Sequence, residues 1–135
     1  MKYLLDTQAW IWSVLNHPRL SRRARAALSA VSGQERIGLA AISLKEAAWH
    51  LARARIVVDE SFGPWALWLR TAAASPHLDV LPLTVEVAIE SEQLSGSFPP
   101  DPADCLIAAT ARVHDLTLIT SDTRIRKSGA VRTIW

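Results

Sequence analysis

Four acidic residues stand at places where a carboxylate can do more than solvate a surface: Asp6, Glu46, Asp104 and Asp122. Asp6 follows the apolar run Lys2–Leu5, Glu46 comes soon after the run Arg36–Ala41, and Asp122 follows the β-branched stretch Thr117–Thr120. Asp104 lies three residues into a helix start, Asp101-Pro102. Taken singly, each has a plainer explanation. Asp6 can cap a helix beginning at Thr7. Glu46 can close a capping box with Ser43. Asp104 can answer the helix dipole, and Asp122 can cap the turn Thr123–Lys127. Capping by itself does not call for a carboxylate at all of these sites, since Ser, Thr or Asn serves as well. Carboxylates gathered at close range repel, and some are forced to protonate. A bound Mg²⁺ or Mn²⁺ removes that conflict, because hard cations take oxygen ligands. One or two such ions would activate water and neutralise a phosphate, which is how a polyanion can approach an acidic pocket.

The elements needed to bring these acids together are legible as alternating strands and helices. Lys2–Leu5 reads as a strand and Thr7–Leu15 as a helix, with Pro18 breaking the chain after it. Ser21 opens a second helix through Ser29–Val31. After the turn Gly33–Glu35, Arg36–Ala41 reads as the second strand. Helices are expected over Ser43–Ala54 and Ser61–Ala74, with Pro64 tolerable only in the first turn of the latter. Asp79–Leu83 is a short strand weakened by Pro82, Thr84–Leu94 a helix and Ser95–Pro100 a loop. The helix from Asp101-Pro102, capped by Asp and opened by Pro, runs to about His114. Thr117–Thr120 and Val131–Trp135 complete the strands. This alternation predicts an α/β fold of three layers, with a central parallel β-sheet flanked by α-helices. Right-handed crossovers place all strand C-termini at one edge, where ligands of such sheets bind. The four acids are expected there.

Composition bounds the remaining readings. The chain has 135 residues, half of them hydrophobic, which suits one domain over residues 1–135 with a real core. A single cysteine, Cys105, excludes an internal disulfide and a multi-cysteine zinc site, and is compatible with a cytoplasmic location. The start MKYLL meets Asp6 too early for a signal-peptide h-region, and no apolar run is long enough to span a membrane. Twelve of the fifteen basic residues are arginine. With the acids gathered around cations, the remaining surface is basic, in line with a sequence pI near 9.1 and a polyanionic partner. The candidates for phosphate contact are Arg124, Arg126 and Lys127, just after Asp122, although a solvated basic turn explains them equally well.

The segments LLDTQAWIW (4–12), ISLKEAAW (42–49), DPADCLIAATARVHDLTLITSD (101–122) and RIRK (124–127) resemble the PIN-domain proteins, most closely the toxins of VapBC-type toxin–antitoxin pairs. D-P-A-D-x-L-I-A-A-T-A is the most specific of these. The resemblance implies a PIN fold and an Mg²⁺- or Mn²⁺-dependent endoribonuclease acting on RNA. It implies Asp6, Glu46, Asp104 and Asp122 as the catalytic and metal-binding acids, and it matches Thr7 to the hydroxyl beside the first acid. Ser121 is a candidate to hold a water or phosphate oxygen. Asp101 matches an often acidic position and reads chiefly as a helix cap. One departure is Cys105, where relatives commonly carry arginine; a thiol supplies neither that charge nor its fork. The resemblance also supplies a partner, a small antitoxin from a neighbouring gene. Apolar surface left over on the helices carrying Trp49, Trp65 and Trp68 is where a segment of it is expected to dock, and it would place a basic side chain among the carboxylates. A homodimer through other helical surface is expected.

Other classes fit less well. A haloacid-dehalogenase phosphatase needs a second Asp where Gln8 stands. A receiver domain wants adjacent acids on the first strand, a dinucleotide-binding domain a Gly-x-Gly-x-x-Gly turn, and a serine hydrolase a nucleophile elbow; none is present. His17, His50, His77 and His114 show no metal-ligand spacing and read as surface or satisfied core residues. The main alternative is a catalytically inactive PIN-like module that binds RNA or protein.

Overall fold

The structure, a computed structural model, describes residues 1–135 apart from the side chain of residue 60. Five strands form one parallel sheet: β1 (Tyr3–Leu5), β2 (Ile37–Ala40), β3 (Leu78–Leu81), β4 (Thr117–Ile119) and β5 (Thr133–Ile134), in the spatial order β3-β2-β1-β4-β5. Leu5 pairs with Leu39 on one side and with Ile119 on the other. The chain winds outward from β1 through β2 to β3, then crosses back to β4, so the strand order reverses between β1 and β4. That reversal opens a crevice at the carboxyl ends of the strands.

Period-two alternation splits the core between the two faces. Leu4, Ala40 and Leu118 pack with Ile107, Ala108 and Ala111 of α6 (Pro102–Val113). Leu5, Leu39 and Ile119 pack on the opposite face with Ala9 and Trp10 of α1 (Thr7–Leu15), and with Ala47 and Leu51 of α3 (Ala41–Ala52). The small helix α2 (Arg22–Ser29), capped by Ser21, adds Ala24 to this second cluster, and α4 (Trp65–Ala73) adds Trp68. On the α6 side lie α5 (Val85–Ser91) and the short α7 (Thr123–Ser128). The result is the expected three-layer α/β arrangement.

Three local details differ from the sequence reading. The third helix begins at Ala41, directly on the end of β2, with Ala40 as an N-cap that makes no side-chain bond. Ser43 is therefore inside the helix, and the capping box with Glu46 does not form. The stretch expected as a helix from Ser61 is divided: a 3₁₀ turn spans Glu60–Phe62, and α4 starts only at Trp65. Gly63, at φ +82, takes a left-handed conformation that ends the turn, and Pro64 then precedes the helix. The turn after Asp122 is a true helix, α7, with Asp122 as its N-cap.

Candidate active site

Each acid owes its position to the end of an element. Asp6 leaves β1 and caps α1, its Oδ1 accepting the Ala9 N–H at 2.7 Å. Asp122 follows β4 and caps α7, its Oδ1 accepting the N–H groups of Arg124 and Ile125 at 2.9 and 3.2 Å. Asp104 sits in the first turn of α6, where its own N–H is held by the cap Asp101 at 3.0 Å. Glu46 belongs to the second turn of α3. Thr7 Oγ1 lies 2.5 Å from Glu46 Oε1 and 3.0 Å from Ser43 Oγ, so α1 and α3 are tied together at the site. Ser43, fully buried, is thus a positioning group and not a cap. Thr120, also fully buried, accepts the Asp122 N–H at 3.1 Å, and its hydroxyl lowers the Asp6 carboxyl, so it acts on the acids on either side of the strand reversal.

All four acids line one cleft of about 660 Å³, together with Thr7 and Ser121. Their proximity has an electrostatic cost. Burial pushes the Asp6 carboxyl up to about 6; hydrogen bonds from Thr120 and Ala9 pull it partway back, and the charges of Glu46 and Asp122 push it up again. Asp104 is pushed up to about 7, first by burial and then by Asp101, Glu46, Asp122 and Asp6. Among the described residues, no three His, Cys, Asp or Glu side chains stand close enough to enclose an ion by themselves. An all-oxygen set spread around an open cleft suits Mg²⁺, which keeps several waters and takes one or two carboxylates. Burial and, after it, mutual repulsion raise Asp6 and Asp104, and a bound cation would offset both.

A family profile described as the PIN domain matches residues 3–130. The chain belongs to the PIN-domain family. Ribonuclease VapC22 of Mycobacterium tuberculosis is 37% identical over 134 residues, an alignment that takes in 98% of this chain and 97% of that protein. FitAcB from Neisseria gonorrhoeae, a crystal structure, is 27% identical with a TM-score of 0.72, covering 98% of this chain and 96% of its own. A toxin–antitoxin complex from Klebsiella pneumoniae shares the fold, with a TM-score of 0.68 at 22% identity over 99% and 97% of the two chains.

Around the acids of this PIN domain, the other residues singled out in the sequence fall into distinct places. Asp101 caps α6 and lies outside the cleft wall, acting on Asp104 through its backbone bond and its charge. Arg124 Nε is 3.9 Å from Asp122 Oδ1, whereas Arg126 and Lys127 occupy the last turn of α7; none of the three lines the cleft. Cys105 turns its Sγ to the Pro99 carbonyl at 3.4 Å and packs on the α6-side core, so the missing arginine leaves the cleft untouched. Two of the histidines, His17 and His50, line the cleft. So do Arg19 and Arg55, which sequence reasoning did not single out. No motif marks these four, because they come from the chain just beyond α1 and from the end of α3, and meet only when those helices pack. Leu51 and Trp68 are core, while Phe62, Trp65 and Leu67 remain exposed on the 3₁₀ turn and α4.

Proposed function

We propose that this PIN domain, taken as a single domain over residues 1–135, is a divalent-metal-dependent endoribonuclease that hydrolyses RNA phosphodiester bonds, and that it serves as the toxin of a toxin–antitoxin pair in the cytoplasm. The observation that carries the reading is the gathering of Asp6, Glu46, Asp104 and Asp122 on one cleft at the strand reversal, with two carboxyls raised first by burial and then by their neighbours' charge. The relative that is 37% identical across nearly the whole chain is a ribonuclease. In this reading the four acids hold Mg²⁺ or Mn²⁺, which when bound polarises the phosphate and makes water a better nucleophile at neutral pH. Thr7 keeps the Glu46 carboxylate aimed into the cleft. The Ser121 hydroxyl is placed to hold a water or a phosphate oxygen. Asp101 supports Asp104 from behind. Arg124, beside Asp122, with Arg126 and Lys127 beyond it, can take phosphates further along the strand.

The exposed Phe62, Trp65 and Leu67 are where we place the antitoxin, a segment supplied by a neighbouring gene that orders as it docks. A basic side chain of that segment, set among the four carboxylates, would block the cation. Val85 and Ile89 of α5, with Leu83 before it, form a second exposed apolar face on the other side of the sheet, suited to a homodimer. No helix among the described residues is long and apolar enough to cross a membrane.

The test is cleavage of an end-labelled RNA by the purified chain in Mg²⁺ or Mn²⁺. Cleavage should stop with EDTA and with Asp6→Asn, which keeps the shape and the Ala9 bond but loses the charge. A wild-type rate for folded Asp6→Asn would sink the mechanism. A folded wild-type chain that binds RNA and never cuts it would leave the inactive binding module as the better account.

A further inference from the structure

The helices α1 and α3 end in the same way. Asn16 and Ala54 take left-handed conformations, at φ 51 and 52. In each case the following N–H reaches back five residues, His17 to the Trp12 carbonyl and Arg55 to the His50 carbonyl, both at 2.9 Å. This is the Schellman closure, which fixes the direction of the residue after the reversal. Both reversals deliver their next residue to the cleft that holds the acids. The His17 ring stacks on Trp12, with centroids 5.5 Å apart and planes at 17°, and its Nδ1 accepts the Arg19 N–H at 3.1 Å. The Arg55 guanidinium lies over the Trp49 ring at 4.7 Å, with the His50 ring edge-on to the same indole. Among the described residues neither Arg19 nor Arg55 pairs with a carboxylate.

A polyanion entering a cleft lined by four acids needs a cationic hold within the same cleft, and these two arginines provide it. We infer that the C-terminal ends of α1 and α3 form the track of the RNA strand beside the scissile phosphate, with Arg19 and Arg55 holding flanking phosphates and the His17 ring, stacked on Trp12, receiving a base. The inference rests on the ribonuclease reading and adds where that substrate lies. A nucleic acid is favoured over a protein segment because this wall, although Ile56 and Val57 also line it, sets guanidinium groups beside stacked rings, whereas the exposed Phe62, Trp65 and Leu67 lie outside it.

The experiment measures binding of a fluorescently labelled single-stranded RNA as a function of KCl, in the Asp6→Asn protein so that the strand stays whole. Each phosphate contact removed should lower the slope of log affinity against log salt by about 0.7. Arg19→Gln with Arg55→Gln should therefore lower it by about 1.4, and Arg55→Lys should restore its share. His17→Ala should weaken binding roughly tenfold with the slope unchanged, since it removes a stacking platform and no phosphate contact. In the active protein the arginine changes should raise KM more than they lower kcat. An unchanged slope in the folded double variant, while the parent binds RNA, overturns the inference and returns the track to α7. Loss of binding to the neighbouring-gene protein with RNA binding intact overturns it too, and assigns the wall to that partner. A wild-type chain that neither binds nor cuts RNA in Mg²⁺ defeats the ribonuclease reading itself.

Discussion

Asp6→Asn should make the metal-free protein more stable. The Asp6 carboxyl rises from an ordinary 3.8 to about 6 in the folded chain, chiefly through burial. Below pH 3.8 it is protonated in both states and costs nothing. As the pH rises toward about 6 the unfolded chain ionises first, so stability is lost across that window and stays lost above it. At about 1.4 kcal/mol per pH unit, the rise from 3.8 to about 6 amounts to roughly 3 kcal/mol at most. Asparagine keeps an oxygen for the Ala9 N–H but loses the favourable charge at a helix N-terminus, so a net gain of about 1–3 kcal/mol is expected at pH 8. Asp104, raised to about 7, extends the pH-sensitive window upward, with a smaller share because it is more open to solvent. The assay is urea unfolding in EDTA, followed by the fluorescence of the six tryptophans, at pH 8 and pH 4. The gain should close at pH 4, and saturating Mg²⁺ should stabilise wild type while leaving the variant unmoved. If Asp6→Asn is no more stable than wild type at pH 8 in EDTA, the ionised Asp6 is not costly in its buried place and the electrostatic case for a cation there fails.

Glu46→Gln retains an acceptor for the Thr7 hydroxyl, so circular dichroism and melting should change little while RNA cleavage disappears; retained cleavage would make Glu46 a structural residue. Ala54→Gly should stabilise the chain by about 0.5–1 kcal/mol in urea titration, because glycine enters the left-handed region without the cost an L side chain bears there. A loss of stability would mean that the reversal after α3 is not strained.

Much of this molecule follows from short-range rules. Strands of alternating apolar residues, each handing over to a helix, define a parallel sheet, and an acid placed just after a strand must lie at its carboxyl edge. Asp6 and Asp122 are legible in that way, each also capping a helix, and Asp104 is legible from the helix start at Asp101-Pro102, by chemistry confined to three or four neighbouring residues. Glu46 shows where such rules stop. Ser43 and Glu46 have the spacing of a capping box, yet β2 passes into α3 without a loop, and Ser43 turns to Thr7 instead of to its own helix end. Local spacing permits both outcomes; the packing of α1 against α3 selects one. The same packing brings His17 and Arg19 into one cleft with His50 and Arg55, and decides that Trp68 is core while Trp65 is surface. The chain by itself determined its elements, their order and the strand ends at which the acids would stand, because hydrogen bonding and periodicity along a segment are local. Which side chains meet across the cleft was decided only by the sheet order and the helix packing, because those contacts join residues that no sequence spacing relates.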